Sequence, residues 1–265
     1  MKHFTLLITW LITMHAYAQE LITDRPDFTE SPYLVPINYL QFEQGFSYSG
    51  GTTQDAFDPT FEIDYNILQI ASTLVRYTVG SMVELRLEFN PTVTTYDGES
   101  ITGLPPIGLG VKTRIINGDG LIPQVAVLFT AYPGILATEN MQPEVPHYVY
   151  RIAANHIITD WLSVGYNFGA VLSSINAPVY LYSLSAGIAL GDKAGYYIEA
   201  YGDFSSEKFE GNFTDNLILD TGLTYAITPL LQADLFFGFG INSSTNYYKS
   251  GVGISYMFSL KKSDG

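Results

Sequence analysis

The stretch DRPDFTESPYLVPINYLQFEQGFSYS, residues Asp24–Ser49, changes character halfway along. Its first half is charged, contains three prolines and follows neither a helical nor a strand period. From Tyr39 onward, an apolar face with Gln44 as its one polar exception alternates with a face of small and polar side chains. The apolar face consists of Leu40, Phe42, Phe46 and Tyr48, and the opposite face of Gln41, Glu43, Gly45 and Ser47. This alternation predicts a β-strand with one apolar side and one wet side.

Eleven further segments repeat the alternation. They are expected at Leu68–Thr78, Met82–Thr92, Ile107–Asn117, Leu121–Tyr132, Tyr148–Ile157, Trp161–Ser173, Val179–Gly191, Gly195–Phe204, Leu217–Ala226, Leu230–Gly240 and Tyr248–Leu260. The connections are alternately short and long, with long ones at Gly50–Ile67 and Val93–Pro106, as in outer-membrane barrels with short periplasmic turns and longer outer loops. The sequence therefore predicts an all-β fold, a closed antiparallel up-and-down transmembrane β-barrel of about 12 strands. Its irregular N-terminal segment is expected to enter the lumen.

The composition agrees with a surface in contact with lipid. Charged residues make up 14% of the chain and aromatic residues another 14%, whereas soluble domains contain about 25% charged residues. A water-soluble β-sandwich would also alternate, but its outward face would carry Lys, Glu, Thr and Ser instead of Tyr, Phe and Leu. The net charge of −14 argues against nucleic-acid binding, because nucleic-acid phosphates require a basic surface.

The chain divides into four expected parts. Residues 1–18 form a secretory signal peptide with a basic start, an apolar run and the cleavage site Ala16-Tyr17-Ala18. That apolar run is too short to span a bilayer as a helix. Residues 19–38 form an N-terminal entry segment, residues 39–260 the barrel and residues 261–265 a periplasmic tail. The predicted location is therefore the outer membrane, reached by export and cleavage.

Polar residues on the predicted inner face are distributed unevenly around the barrel. Strands two to six contribute mainly basic side chains, and strands nine to eleven contribute only acidic ones. The candidate lumen-lining residues are Glu43, Arg76, Glu84, Arg86, Glu88, Lys112, Arg114, Arg151, Glu199, Asp203, Asp220 and Asp234. One interpretation is a polar channel in which a basic wall faces an acidic wall and orients charged solutes. The other is that the charges pair and fill the lumen, because buried charges require partners.

The entry segment carries charges of its own, at Asp24, Arg25, Asp27 and Glu30. The basic wall has more cations than its own glutamates neutralise. We therefore expect the segment to fold into the periplasmic end of the lumen as a plug. Its three carboxylates are expected to form charge-assisted bonds with Arg76, Arg86, Arg114 or Arg151.

The short turns provide a check on the faces. If each turn holds three residues, Arg76 lies opposite Glu84 and Asn155 lies opposite Ser163, so polar residues share one face. A two-residue turn would set these residues against the apolar face, because a slip of one residue reverses every side chain.

An enzymatic function is not predicted. Some outer-membrane barrels are lipases with a serine and a histidine on the lipid face, but the expected neighbours of His156 include no serine. The other histidine after residue 18, His147, lies at a loop end. The chain contains no G-x-S-x-G motif, no metal-ligand spacing and no P-loop. Neither a cofactor nor a metal is expected.

Several short motifs resemble a known family. They are D-R-P-D-F-T-E-S at Asp24–Ser31, V-P at Val35-Pro36, Q-F-E-Q-G-F at Gln41–Phe46, L-V-R-Y at Leu74–Tyr77, E-L-R at Glu84–Arg86 and G-L-G-V-K at Gly108–Lys112. Together they resemble the bacterial outer-membrane family labelled "putative MetA-pathway of phenol degradation", or simply transporter. Asn38 stands where the family is expected to have glycine. The resemblance implies a barrel and a role in the uptake of aromatic compounds.

Two functions remain open from the sequence. The first is a passive outer-membrane channel or facilitator for small solutes, which the resemblance suggests are aromatic. The second is a plugged structural or adhesion barrel that conducts nothing and acts through its outer loops. A lumen clear of the entry segment would favour the first, and a filled lumen the second. The expected partners are membrane lipids, lipopolysaccharide, a small-molecule solute and the barrel-assembly machinery during insertion.

Overall fold

The computed structural model describes residues 21–54, 62–118, 120, 122–205, 215–241 and 246–261. The predicted signal peptide and residues 262–265 of the predicted tail lie outside these ranges. Within them, fourteen strands form one antiparallel sheet, and one turn of 3-10 helix spans Glu139–Met141. The helices of the described residues include none with the length and hydropathy needed to cross a membrane.

Twelve of the strands close into a barrel. The strands are β1 (Tyr39–Gln54), β2 (Glu62–Val79), β3 (Val83–Phe89), β4 (Thr92–Tyr96), β5 (Glu99–Gly103), β6 (Gly108–Ile116), β7 (Gln124–Tyr132), β8 (His147–Thr159), β9 (Leu162–Ser173), β10 (Val179–Leu190), β11 (Ala194–Ser205), β12 (Asp215–Thr228), β13 (Leu231–Gly240) and β14 (Tyr248–Ser259). β1 pairs with β14 on one side and with β2 on the other, so the ring closes. The prediction of a closed antiparallel barrel of about 12 strands is confirmed.

β4 and β5 form a hairpin that pairs with the N-terminal half of β2. The long connection predicted at Val93–Pro106 therefore contains a strand hairpin that the sequence analysis did not predict. The hairpin forms because Thr, Val and Tyr favour strands and because Asp97-Gly98 supplies a tight turn. These two residues take φ values of 46° and 83°, and positive φ at both central positions suits a two-residue hairpin.

The pairing register differs from the predicted one by two residues. Arg76 lies opposite Arg86 instead of Glu84, and Asn155 lies opposite Gly165 instead of Ser163. The β2–β3 turn does hold three residues, but it is centred on Ser81, one position later than expected. A shift of two residues keeps each side chain on its face. The predicted faces are therefore correct although the predicted partners are wrong.

Along β3, apolar and charged side chains face opposite ways. Leu85 and Leu87 are 51% and 41% exposed on the outer surface, whereas Glu84 and Arg86 are 0% and 4% exposed inside. The interior is therefore not an apolar core. Its fully buried side chains include Arg76, Lys112, Gln41, Glu43, Glu84, Glu199 and Asp220. Charged groups on the inside and apolar groups on the outside suit a barrel surrounded by lipid.

Candidate functional site: a charged barrel interior

The N-terminal segment, residues 21–38, runs inside the barrel before the chain enters β1. Near its end, Thr78 Oγ1 donates a hydrogen bond to Val35 O at 2.5 Å, and Val35 N donates to Glu84 Oε2 at 2.8 Å. Val35 is 2% exposed. Asn38 then takes a φ of 68°, in the left-handed region that asparagine adopts more readily than most residues. This conformation explains how Asn38 can stand at a position where glycine was expected.

Asp24 is the centre of the basic side of the interior. Its Oδ2 accepts hydrogen bonds from Arg86 Nη1 at 2.5 Å and Lys112 Nζ at 2.7 Å, and lies 3.2 Å from Arg76 Nη1. Its Oδ1 accepts from the amide and the hydroxyl of Ser31 at 3.0 and 2.7 Å. Burial alone would raise the pKa of Asp24, but the three cations hold it well below its ordinary value. Asp24 therefore joins the segment to three strands of the barrel.

Other carboxylates complete the neutralisation of the basic wall. Arg76 Nη1 donates to Glu43 Oε1 at 2.8 Å, and Arg76 Nε donates to Glu84 Oε1 at 2.9 Å. Arg86 Nη2 donates to Glu30 Oε2 of the segment at 2.9 Å. Both arginines thus have carboxylate partners from the wall and from the segment. Buried charges need such partners to offset the loss of hydration.

The acidic side of the barrel holds the segment mainly through hydrogen bonds to backbone atoms of the segment. Glu199 Oε1 accepts from Phe28 N at 2.6 Å, and Glu199 Oε2 accepts from the amide and hydroxyl of Thr29 at 3.1 and 2.8 Å. Asn167 binds the next residue twice, accepting from Glu30 N at 2.7 Å and donating to Glu30 O at 3.0 Å. Asn167 is not among the predicted site residues. The sequence indicates it only as an amide side chain between Gly165 and Gly169 on the inner face of β9.

Arg25 crosses from the segment to the acidic side. Its Nη2 donates to Asp234 Oδ1 at 3.2 Å and to Val252 O at 3.4 Å. A Cβ atom on Gly253 would lie 2.5 Å from Arg25 Nε, and a Cβ atom on Gly45 would also overlap the guanidinium. These glycines therefore make the room that the Arg25 side chain occupies.

Lys249 of β14 gives the acidic side a second cation. Its Nζ lies 2.5 Å from Asp220 Oδ2 and 4.6 Å from the centre of the Tyr201 ring. Predicted strands nine to eleven carry only acidic residues on this side, but Lys249 on the last strand pairs with one of them, and it was not among the predicted lumen residues. The alternation contains the missing signal, because Lys249 shares its face with Gly251 and Gly253 at intervals of two residues.

Asp27 lies on the acidic side and not, as predicted, against the arginines. Its Oδ2 is 3.5 Å from Ser185 Oγ. Burial and the nearby charge of Glu199 raise the pKa of Asp27 well above its ordinary value. Asp27 lies there because the next two residues, Phe28 and Thr29, donate their backbone amides to Glu199.

Two predicted lumen residues bond elsewhere in the barrel. Arg114 Nη2 donates to Ser81 O at 3.0 Å, in the β2–β3 turn. Asp203 Oδ1 accepts from Asn216 Nδ2 at 3.1 Å. Of the four arginines offered as partners for the segment, Arg114 bonds the neighbouring turn instead, because it lies at the turn end of β6.

Phe28 adds an aromatic contact to the polar ones. Its ring stacks on that of Tyr201 with the ring centres 4.3 Å apart, and Arg151 Cζ lies 4.7 Å from the centre of the Phe28 ring. Arg151 Nη1 is also 3.6 Å from Glu30 Oε1. Cation–π contacts of this kind contribute roughly 0.5–2 kcal/mol. Arg151 therefore contacts two residues of the segment.

A cavity of about 180 Å³ remains beside the segment. Its lining is mostly polar and comprises Asp24, Arg25, Glu30, Glu43, Ser72, Thr73, Leu74, Arg86, Glu88 and Asn90. Glu88 Oε2 accepts a hydrogen bond from the Tyr132 hydroxyl at 2.5 Å. The cavity is large enough for several water molecules or a small solute.

Both histidines within the described residues, His147 and His156, contact tyrosines. His156 Nε2 lies 3.3 Å from the Tyr166 hydroxyl, and the His147 ring stacks on Tyr132 with centres 4.6 Å apart. Among the residues for which the structure gives positions, no cluster of His, Cys, Asp and Glu could hold a metal ion. The polar site that the chain assembles is the barrel interior.

Solved structures of the same architecture are outer-membrane proteins. An outer membrane channel from Pseudomonas putida F1 is 11% identical, with a TM-score of 0.64 over 89% of this chain and 100% of that chain. The translocator domain of the autotransporter NalP from Neisseria meningitidis is 13% identical, with a TM-score of 0.56 over 97% and 96%. The KdgM porin in complex with disordered oligogalacturonate is 10% identical, with a TM-score of 0.51 over 82% and 99%. At these identities the likeness shows the fold of a porin-like outer-membrane barrel.

Comparison of sequences gives the family. No curated protein sequence matches the chain. A family model described as "Putative MetA-pathway of phenol degradation" matches residues 23–258. The match begins within the N-terminal segment and extends to Phe258, one residue before the end of β14, so it includes both the charged segment and the barrel. The resemblance noted in the sequence motifs is confirmed: the chain belongs to this family of outer-membrane β-barrel proteins.

Proposed function

We propose that this protein is an outer-membrane channel for passive uptake of small solutes, and that its N-terminal segment is the gate. The observation that carries the proposal is the way the segment is held. Asp24, Glu30, Phe28 and Thr29 are bound by charged or polar side chains of the barrel. The chain has no cysteine, so no disulfide fixes the segment. Water can replace such polar contacts when the segment leaves.

The barrel wall is closed by pairing that does not involve the segment. β1 and β14 are in register from Tyr39–Ser259 to Gly50–Tyr248. Departure of residues 21–36 would therefore open the interior without breaking the ring. The chemistry of that interior supports passage of small polar or charged solutes. The family description supports aromatic compounds among them.

A non-conducting structural or adhesion barrel is the second candidate. The buried position of the segment favours it, because the segment and the side chains bonded to it fill part of the lumen. In this alternative the segment is a permanent part of the interior. The two candidates predict different effects on conductance when the segment is removed.

The test is single-channel conductance in planar lipid bilayers. The chain from residue 19 is compared with a variant lacking residues 19–36. We expect low conductance with brief openings from the longer chain and a larger, stable conductance from the truncated one. The matched control is Asp160→Asn, at an exposed turn, which should behave like the longer chain.

The outcomes separate the candidates. No conductance from either chain would identify a non-conducting barrel and reject the channel. Equal, full conductance from both would keep the channel but show that the segment is not its gate. Heat-modifiable mobility on gels confirms that each variant has folded into a barrel before it is measured.

The proposal also includes how the protein reaches the outer membrane and what its outer surface contacts there. Residues 1–18 would be cleaved as a signal peptide, and the barrel would insert through the barrel-assembly machinery. The exposed apolar outer surface would contact membrane lipids and lipopolysaccharide. The proposal includes no enzymatic step; His156 Nε2 lies 3.3 Å from the Tyr166 hydroxyl, and the His147 ring stacks on Tyr132.

A further inference from the structure

A second cavity, of about 370 Å³, lies at the rim opposite the two ends of the barrel chain. It is formed by the start of β8, the end of β9, the start of β10 and the loops that precede β8 and β10. We call this cavity the rim pocket. It shares none of its described lining residues with the cavity beside the segment.

The pairing register places the rim pocket on the lumen side of the wall. Val171 and Ser173 follow Asn167, which bonds the segment, at intervals of two residues along β9. Val171 pairs with Val179 of β10, and Ser173 pairs with His147 of β8. Because side chains two apart share a face and paired residues share a side, these four side chains point towards the lumen.

The lining of the rim pocket is mostly apolar. Six of its ten lining residues are apolar, namely Pro143, Val145, Val171, Ile175, Ala177 and Val179. The polar ones include His147, whose imidazole can donate or accept a hydrogen bond. An apolar cavity of about 150 Å³ holds a benzene molecule, so the rim pocket has room for a substituted ring. An apolar lining with a few polar groups is typical of small-molecule sites.

The charges around the rim pocket disfavour anions. Among the described residues that line it, none is a lysine or an arginine. Its one carboxylate, Glu144, is exposed. An anion would therefore lose hydration without gaining a cationic partner. The cavity beside the segment differs, because Arg25 and Arg86 line it.

The loop that precedes β8 is fixed to a neighbouring element. Thr138 N donates to Leu104 O at 2.9 Å, and Leu104 N donates to Thr138 Oγ1 at 3.0 Å. Asn140 Nδ2 donates to Thr102 O of the β4–β5 hairpin at 3.2 Å.

The loop between β9 and β10 is closed at its base, where Asn176 N donates to Ser173 Oγ at 3.1 Å. Both loops around the rim pocket are therefore held before a ligand arrives. A pocket that is formed in advance spares a ligand the cost of ordering it.

Tyr132 stands between the rim pocket and the cavity beside the segment. Its ring stacks on that of His147, which lines the rim pocket, with centres 4.6 Å apart. Its hydroxyl donates to Glu88 Oε2 at 2.5 Å, and Glu88 lines the other cavity. A Cβ atom on Gly108 would lie 2.8 Å from Tyr132 Cε1, so this glycine makes room for the tyrosine ring.

We infer that the rim pocket binds an uncharged molecule that combines one flat apolar ring with one hydroxyl group. The ring would lie against Val171, Val179 and the imidazole of His147, and the hydroxyl would bond a polar group of the lining. A solute bound here would pass Tyr132 to reach the cavity beside the segment. This onward passage rests on the proposed channel function, whereas binding in the rim pocket does not.

Protection of a cysteine in the rim pocket measures binding at this place. The chain has no cysteine of its own, so Ile175→Cys, at a lining position that is 51% exposed, gives a single reactive thiol. The matched control is Ile135→Cys, 57% exposed on the loop before β8 and outside the described lining. The rate of reaction with a water-soluble thiol reagent is followed at rising concentrations of 4-methylphenol, toluene or 4-methylbenzoate.

We expect 4-methylphenol to slow the reaction at position 175 and to leave that at position 135 unchanged. Half-protection by 4-methylbenzoate should need a roughly tenfold higher concentration, because the anion finds no cation. Toluene should need a roughly threefold higher one, because it lacks the hydrogen-bonding hydroxyl. Absence of protection by 4-methylphenol, equal protection at both positions, or equal potency of the three compounds would overturn the site.

Filling the rim pocket provides an independent check. Val171→Phe or Val179→Phe, combined with Ile175→Cys, should raise the half-protecting concentration of 4-methylphenol roughly tenfold, because the added ring takes the ligand's space. Thr224→Phe, at an inner position of β12 paired with Asp234, is the control and should leave it unchanged. Heat-modifiable mobility on gels shows which variants have folded. Unchanged protection in a folded filling variant would contradict the assignment.

The rim pocket and the channel fail in different measurements. Protection at position 175 without conductance from the barrel lacking residues 19–36 would reject the channel and retain the binding site. Conductance from that barrel without protection at position 175 would retain the channel and reject the binding site.

Discussion

At the scale of single residues, position in the lumen decides what a carboxylate does. Asp24 and Asp27 are three residues apart in the same segment. Asp24 lies among Arg76, Arg86 and Lys112, which lower its pKa. Asp27 lies on the acidic side, where burial and Glu199 raise its pKa. The two side chains should therefore respond in opposite ways to loss of charge.

Asp24→Asn should lower the free energy of unfolding by about 3–5 kcal/mol, because removing one partner leaves buried cations uncompensated. Asp27→Asn is the matched control, and it should leave stability unchanged or increase it, because it removes a repelled charge. Reversible folding into lipid vesicles, monitored in urea, measures both. Equal losses from the two variants would contradict the assignment of the two sides of the lumen.

At the scale of elements, the period of two residues along each strand decides which side chains face the lipid and which face the lumen. On β3 it places Leu85 and Leu87 towards lipid and Glu84 and Arg86 inside. It cannot by itself set the pairing partner, because a shift by two residues preserves the faces. The turn sequence sets the partner, and the β2–β3 turn is centred on Ser81. Faces are therefore more predictable than register.

Leu85→Arg should cost about 2–4 kcal/mol if the side chain lies near the bilayer midplane. Thr224→Arg is the comparison, because Thr224 is the pairing partner of Asp234 on the inner side. It should cost clearly less, since an arginine there meets water and a carboxylate. The same vesicle-folding assay compares the two, and similar costs would mean that the inner and outer faces are wrongly assigned.

At the scale of the whole molecule, the even number of barrel strands brings both ends of the barrel to one rim. β1 begins and β14 ends there, with Tyr39 opposite Ser259. The N-terminal segment enters the lumen from this rim. The short turns at the same rim and the β4–β5 hairpin at the other predict which rim faces the cell exterior.

Cysteines placed at Glu99 and Glu139 should react with a membrane-impermeant thiol reagent on intact cells, because these exposed positions lie on the rim that we expect to face the cell exterior. Cysteines at Asp160 and Lys193, also exposed, should react only after the outer membrane is permeabilised. Their labelling on intact cells would reverse the orientation. Permeabilised cells, in which all four must react, provide the control for accessibility.

The sequence by itself determined the barrel, its faces and the presence of charges within it, because alternation and turn spacing are local properties of the chain. It also determined that carboxylates of the segment would meet the basic wall. Only the tertiary structure decided that Asp27 faces Glu199 and that Lys249 neutralises Asp220. These contacts depend on where strands distant in sequence stand around the ring and on how the segment turns inside it. The irregular pairing around residues 70–72 of β2 was decided in the same way, because one left-handed residue, Ala71, shifts the pairing of β2 with the strands on both sides.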